Sequence, residues 1–176
     1  MKRTADQIYA ANDAAREKLL AAVEDIDVER AVQKAADEGW TIAQVLEHCS
    51  IVESGLIRIC AKLLAKAEAA GEMSDGTITL SDEFLQISGE TRSVKLEAPE
   101  TVHPDPGSTL QKAKDSLRSN REMLTNLMPK FLEFRADIGT FPHPHFGNMT
   151  AGEWLSLIGA HDLRHIDQIE RINSKL

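Results

Sequence analysis

The chain has few aromatic residues and no long apolar run. Phe, Trp and Tyr together make up 5% of its 176 residues, and no stretch reaches the roughly 18 apolar residues that a membrane-spanning helix needs. The first ten residues, MKRTADQIYA, turn polar at once, unlike a signal peptide. We therefore expect no membrane span, no membrane partner and a cytoplasmic location.

Positive charge and cysteine are also scarce. There are 20 Lys and Arg against 28 Asp and Glu, a formal net charge of −8. Binding to nucleic acid needs a clustered cationic face, so we expect no nucleic-acid partner. The two cysteines, Cys49 and Cys60, are about 16 Å apart along one predicted helix, too far for a disulfide. We expect both to be reduced.

The abundant residues favour helices. Apolar residues make up 42% of the chain, with many Ala and Leu and few β-branched runs. A Ser or Thr followed three residues later by Gln or Glu forms a capping box at a helix start. Four capping boxes each open a stretch with helical apolar spacing: Thr4 with Gln7, Thr41 with Gln44, Ser108 with Gln111, and Thr150 with Glu153.

These starts predict four long helices in a single domain, residues 1–176. Their expected ranges are about 5–23, about 42–70 with Gly71 as the stop, about 109–134 with Pro129 as a kink or early end, and 151–176. A shorter helix is expected over 28–37, and no β-sheet is expected anywhere.

The segment 72–107 is rich in Gly, Ser, Thr and Pro. It is unusually long for a connection in a compact domain, and residues 81–88 are expected to form a short helix within it. Four helices with one long crossover between the second and third is a known bundle topology. The sequence therefore predicts an all-α four-helix bundle.

Three histidines lie on apolar stretches of the predicted second and fourth helices. His161 and His165 are four residues apart, so their side chains lie one above the other, about 6 Å apart. From there, two ring nitrogens can reach one ion at about 2.0–2.1 Å. Alone, this pair also fits a wet helix face, and His48 alone fits a hydrogen-bonded core histidine. One metal ion bound by His48, His161 and His165 accounts for all three buried imidazoles together.

Three imidazole ligands leave one coordination position open, which is typical of catalytic rather than structural zinc sites. Neutral imidazole suits zinc, nickel, copper or iron, and histidine spacing does not choose among them. We expect a divalent metal ion, with zinc first and nickel as the alternative. Such an ion can lower the pKa of a bound water or thiol.

Two segments of the chain resemble the DinB superfamily. The first is Trp40–His48 (WTIAQVLEH), followed by a long apolar helix. The second is His143–Ile172, in which a His-Pro pair and a Gly precede a helix that carries two histidines four residues apart. The resemblance implies a four-helix bundle with a three-histidine metal site, carried over here to His48, His161 and His165. It also implies metal-dependent hydrolases or thiol S-transferases, often dimeric.

Other histidines and Cys49 have simpler interpretations. His143 and His145 could supply a fourth ligand or a substrate contact, but a rigid loop fixed by Pro142 and Pro144 is favoured. His103 is expected at the surface. Cys49 points about 100° away from His48 around the helix, which favours a core position.

Four further polar residues lie near the predicted ligands. Asp162 and Asp167 could orient the histidines as hydrogen-bond acceptors, but solvated positions are favoured for both. Gln168 could bond a metal-bound water or simply pack. Glu47 is the nearest candidate for a general base, but its angle around the helix is unfavourable.

The leading functional hypothesis is a metal-dependent enzyme that activates a low-molecular-weight thiol for S-transfer to small electrophiles. The alternatives are a metal-dependent hydrolase that uses metal-bound water, and a non-catalytic metal- or small-molecule-binding bundle. The lack of an obvious carboxylate base on the predicted metal face favours the thiol route, because a metal-bound thiol is already deprotonated. No serine nucleophile motif, phosphate loop or dinucleotide fingerprint is present.

Overall fold

Four long helices form a bundle in this structure, a computed structural model that describes residues 1–91, 94 and 96–176. The long helices are α1 (Ala5–Ala21), α3 (Ile42–Ala70), α5 (Leu110–Glu133) and α6 (Ala151–Asn173). Helix α6 packs against both α1 and α3, and α3 also packs against α5. The predicted four-helix bundle, with its crossover between the second and third long helices, is confirmed.

Shorter elements fill the connections. Helix α2 covers Val28–Ala31 and ends well before residue 37, where the sequence placed its end. Helix α4 covers Asp82–Thr91 in the crossover, close to the short helix expected over 81–88. A 3-10 turn, Glu100–Val102, follows later in the same connection.

The expectation of no β-structure is wrong, because two short antiparallel ribbons flank the bundle. Strand β1 (Lys2–Thr4) pairs with β2 (Thr77–Thr79), and β3 (Phe141–His143) pairs with β4 (Gly147–Met149). Each strand is three residues long, too short for its alternation to be recognised in the sequence. The second ribbon forms a hairpin directly before α6.

Three of the four predicted capping boxes are present, at the starts of α1, α3 and α6. The fourth, at Ser108, is wrong: Thr109 caps α5 by accepting a hydrogen bond from the Lys112 backbone N–H at 3.2 Å. Gly71 ends α3 in the left-handed conformation, as predicted. Pro129 does not end α5, which continues to Glu133.

The bundle core consists of two apolar clusters with buried polar side chains between them. One cluster includes Tyr9, Leu64, Phe131 and Trp154, and the other includes Leu19, Leu46, Leu117 and Ile169. On each long helix, at least one buried polar residue lies between the part that belongs to one cluster and the part that belongs to the other. We call these residues the polar layer: Asn12, Arg16, Glu53, Asn120 and Asp162.

Hydrogen bonds and ion pairs connect the polar layer across the bundle. Asn12 joins α1 to α6, since its Nδ2 donates to the Leu155 carbonyl at 2.9 Å and its Oδ1 accepts from the Gly159 N–H at 3.1 Å. Asn120 joins α5 to α3 by donating to the Ser50 carbonyl at 2.7 Å. Polar groups buried in this way cost little free energy because they are paired.

Among the described helices, none combines the length and the apolar character that crossing a bilayer requires.

The contact at Gly159 yields a stability prediction. A Cβ atom there would lie 2.6 Å from Asn12 Oδ1 and 3.2 Å from Asn12 Cα. We expect Gly159→Ala to lower the free energy of unfolding by about 1–3 kcal/mol through overpacking, measured by urea denaturation. Gly55, in the middle of α3, has open space at its Cβ position. The matched control Gly55→Ala should raise stability by about 0.5–1 kcal/mol. Equal stabilisation by both substitutions would contradict the close approach of α1 and α6.

Candidate metal centre

His48, His161 and His165 come together between α3 and α6, as the sequence predicted. One ring nitrogen from each lies within 4.8 Å of the others. The ring centroid of His48 is 5.1 Å from that of His161 and 4.9 Å from that of His165. His48 and His165 are each 4% exposed, whereas His161 is partly exposed.

The two histidines of α6 present their Nε2 atoms to each other at 3.2 Å. Two nitrogens bound to one tetrahedral ion at about 2.0–2.1 Å would be about 3.3 Å apart. In the metal-free protein, an N–H···N hydrogen bond can span the same distance. The spacing of His161 and His165 therefore fits one ion without movement of the helix backbone.

Outer hydrogen bonds orient two of the three rings. His48 Nδ1 lies 2.8 Å from the Val102 carbonyl oxygen, and His165 Nδ1 lies 2.7 Å from Gln168 Oε1. Both oxygens only accept, so each Nδ1 carries the proton and each Nε2 keeps its lone pair for a ligand. Gln168 thus has neither of its two predicted roles, because it holds His165 by its far nitrogen.

All three imidazoles are neutral at physiological pH. Burial lowers the pKa of His48, lowers that of His161 well below its ordinary value, and lowers that of His165 to about 3. The positive charge of the neighbouring Arg164 adds to each of these shifts. Neutral imidazole is the form that binds a metal ion.

A buried ion pair lies behind the histidines. Arg16 Nε donates to Asp162 Oδ2 at 2.9 Å, and a terminal nitrogen of Arg16 lies 3.0 Å from Glu53 Oε1. The prediction that Asp162 is solvated is wrong: it is 2% exposed, because this face of α6 packs against α1. Burial raises the pKa of Asp162 to about 6 and also raises that of Glu53.

Cys49 lies in the core, as predicted, but closer to the centre than its angular offset suggested. It is fully buried, and its sulfur lies within 4.8 Å of a His161 nitrogen and an Asp162 carboxylate oxygen. Burial raises the pKa of the Cys49 thiol well above its ordinary value, so the sulfur is protonated. It is a thiol packed behind His161 rather than a ready thiolate ligand.

Glu47 fixes the crossover instead of facing the histidines. Its Oε2 accepts hydrogen bonds from the Asp105 backbone N–H at 2.7 Å and from the Ser108 hydroxyl, and its Oε1 pairs with Lys112 at 3.0 Å. The unfavourable angle predicted for Glu47 is consistent with this position. The same contact explains why Ser108 does not cap α5.

The remaining sequence candidates lie outside the three-histidine group. His103 and Asp167 are exposed, as predicted. His143 and His145 lie in the β3–β4 hairpin, His143 at the end of β3 and His145 in the turn, where the sequence predicted a rigid loop. His145 is exposed, whereas His143 is half-buried, and its Nδ1 accepts backbone hydrogen bonds from His145 at 3.1 Å and from Phe146 at 3.3 Å.

Several residues near the centre were not identified from the sequence. The Trp40 ring lies 4.8 Å from the His48 ring, whereas in the sequence Trp40 is only the first residue of the segment Trp40–His48. Arg16 and the Val102 carbonyl come from other parts of the chain. No local motif marks such partners, because their roles depend on how distant segments pack.

Comparison with known proteins gives the family of the chain. The model of the DinB superfamily matches residues 11–169. The chain belongs to the DinB superfamily. It is 26% identical over 152 residues to the uncharacterized protein YuaE of Bacillus subtilis (strain 168), covering 84% of this chain and 86% of that protein.

A solved structure supports the fold of this DinB protein. TT2238, described as a four-helix bundle protein, matches with a TM-score of 0.63 and 21% identity over 96% of this chain and 99% of that one. At this identity the likeness concerns the fold. The family match identifies a DinB protein, and the distances between the ring nitrogens show a three-histidine site that can hold a divalent metal ion.

Removal of any one of these histidines should abolish metal binding. We expect about one ion per chain in untagged protein purified without nickel resin, and strong loss of metal in His48→Ala, His161→Ala and His165→Ala. Elemental analysis measures the metal, and circular dichroism checks that the helices persist. His103→Ala, at an exposed position, is the control and should keep its metal. Full metal content in both His161→Ala and His165→Ala would rule out this site.

Gln168 should tune affinity without binding the metal itself. Gln168→Leu removes the acceptor that orients His165, so we expect metal affinity to fall by about 10- to 100-fold. Competition with a chromophoric chelator measures this change. Gln86→Leu, which removes an exposed glutamine of α4, is the control. Unchanged affinity in Gln168→Leu would show that the hydrogen bond to His165 Nδ1 has no role in metal binding.

Proposed function

We propose that this DinB protein is a metal-dependent enzyme that transfers a low-molecular-weight thiol to a small electrophile. His48, His161 and His165 would hold one divalent ion, zinc first and nickel as the alternative. The observation that carries the proposal is the convergence of three neutral imidazoles, two of them buried and one partly exposed, with no fourth histidine in their group among the described residues.

The donor set fits such an ion. Imidazole nitrogens suit zinc and nickel, and three protein ligands leave a position for a substrate atom. When bound there, the ion would supply acidity that converts a thiol to its nucleophilic thiolate. The residues of the chain would fix the ligand nitrogens, through Val102 and Gln168, and exclude water by burial.

The carboxylates near the histidines already have partners, and this favours the thiol transferase over the hydrolase. Among the described residues close to the histidines, Glu47 binds Ser108 and Asp105, while Asp162 and Glu53 pair with Arg16. A hydrolase that activates water commonly uses a free carboxylate as its general base. A thiol needs no such base once it has lost its proton.

In the proposed reaction, the thiolate sulfur forms a bond to an electrophilic carbon, and the leaving group departs with the electrons of the broken bond. The thiol proton passes to solvent. The partners are therefore small molecules: a thiol and an electrophile. The resemblance described above implies proteins that are often dimeric, and association of this chain as a homodimer stays a prediction.

The proposal is tested with cobalt-substituted protein. We expect 2-mercaptoethanol or cysteine to produce a thiolate-to-cobalt charge-transfer band, and the metal-loaded protein to accelerate their reaction with 1-chloro-2,4-dinitrobenzene, which releases chloride. His161→Ala should lose both signals, while His103→Ala keeps them. A cobalt spectrum that no thiol alters would rule out the transferase. Metal-dependent cleavage of 4-nitrophenyl acetate in that case would identify a hydrolase, and inactivity in both assays a non-catalytic bundle.

A further inference from the structure

The β3–β4 hairpin holds His143 in one tautomer. Its Nδ1 accepts two backbone hydrogen bonds, from His145 at 3.1 Å and from Phe146 at 3.3 Å. A nitrogen that accepts carries no proton, so the proton of the neutral ring lies on Nε2. Burial lowers the pKa of His143 to about 4, which keeps the ring neutral at physiological pH. His143 therefore presents an N–H donor at Nε2.

Trp154 supplies a second donor beside the first. It lies on α6 and is 3% exposed, and its Nε1 is buried without a hydrogen-bond partner in the part of the chain that the structure describes. Its ring centroid is 5.3 Å from that of His143. Buried donors in folded proteins are almost always satisfied, so an orphan indole N–H indicates that an acceptor from outside the chain belongs there.

These donors lie on the side of α6 that carries the metal centre. Trp154 precedes His161 by seven residues, which places it about 10 Å away along the helix on nearly the same face. His143 is close enough to His161 to contribute to the lowering of its pKa. The hairpin thus lies next to His161 of the metal centre.

Arg164 places positive charge beside the three imidazoles, where it contributes to the lowering of the pKa of each. It lies three residues after His161, is half-buried, and forms no ion pair with a carboxylate among residues 1–91, 94 and 96–176. The carboxylates of Glu47 and Asp162 are already paired elsewhere. An anion bound near the imidazoles therefore meets positive charge and no free carboxylate from Glu47 or Asp162.

We propose that His143 Nε2–H and Trp154 Nε1–H form a subsite for a carboxylate group of the small-molecule substrate, next to the metal centre. Two neutral donors can each bond one carboxylate oxygen, and charge-assisted hydrogen bonds of this kind are the stronger ones. The assignment of the carboxylate to a substrate rests on the proposed function, whereas the binding of a carboxylate by these two donors does not depend on it.

Nuclear magnetic resonance of the indole N–H groups tests the subsite without thiol chemistry. The metal-loaded protein labelled with ¹⁵N has two indole signals, from Trp40 and Trp154, and Trp154→Phe assigns them. We expect sodium acetate to shift the Trp154 signal downfield, whereas sodium chloride at equal ionic strength does not. An indole signal of Trp154 that acetate leaves in place, or that chloride moves equally, would overturn the proposal.

Two variants remove one donor each. In His143→Asn, the amide oxygen can replace Nδ1 as the acceptor of the hairpin N–H groups, while the Nε2 donor is lost. We expect acetate to bind this variant about tenfold more weakly. His145→Asn, in the same hairpin but exposed, is the matched control and should bind acetate as the unmodified protein does. Equal weakening in both would mean that the effect is structural, and would count against the subsite.

A second measurement separates this proposal from the proposed function. With cobalt-substituted protein, 3-mercaptopropionate should bind about tenfold more tightly than 2-mercaptoethanol, and Trp154→Phe should reduce that ratio without changing the affinity for 2-mercaptoethanol. An acetate shift without any thiol binding would reject the transferase and keep the subsite. Thiol binding with no preference for the carboxylate would reject the subsite and keep the transferase.

Discussion

The burial of charge behind the three imidazoles is the constraint on which the rest of this structure depends. Arg16 of α1 lies between Asp162 of α6 and Glu53 of α3, and all three side chains are almost inaccessible to water. A buried ion pair contributes little net stability, because desolvation offsets its attraction. Breaking it by a shift of one helix would be costly, since a charge would remain buried and unpaired. The pair therefore fixes how α1, α3 and α6 meet.

That fixed arrangement determines where the histidines point. Asp162 follows His161 directly, so the rotation of α6 that places Asp162 against Arg16 also turns His161 and His165 toward α3. On α3, Glu53 lies five residues after His48, about 140° from it around the helix, so the rotation that places Glu53 against Arg16 also fixes where His48 points. Apolar contacts alone would tolerate several rotations of these helices. The polar layer selects the one in which the three rings meet.

The elements that depend on local sequence were predicted well. Capping boxes located the starts of α1, α3 and α6, and the four-residue spacing of His161 and His165 identified two of the three histidines of the centre. Features that depend on packing between distant segments were missed. Nothing near Asp162 indicates that Arg16, 146 residues earlier, neutralises it. The strands around Ile78 and Pro142 are defined by pairing across loops, which a single short segment does not reveal.

The hydrogen bond from His48 to Val102 has a consequence for how the protein can diversify. Residues 100–102 form a 3-10 turn in the crossover, and Glu47 anchors the same connection at Asp105. Binding of a ligand at the three histidines is thus thermodynamically linked to the ordering of this turn. Each strengthens the other by the same free energy. Substitutions in the crossover can retune affinity at the imidazoles without changing any residue that touches the ion. Related proteins could thereby acquire different ligand preferences through this connection while the bundle stays the same.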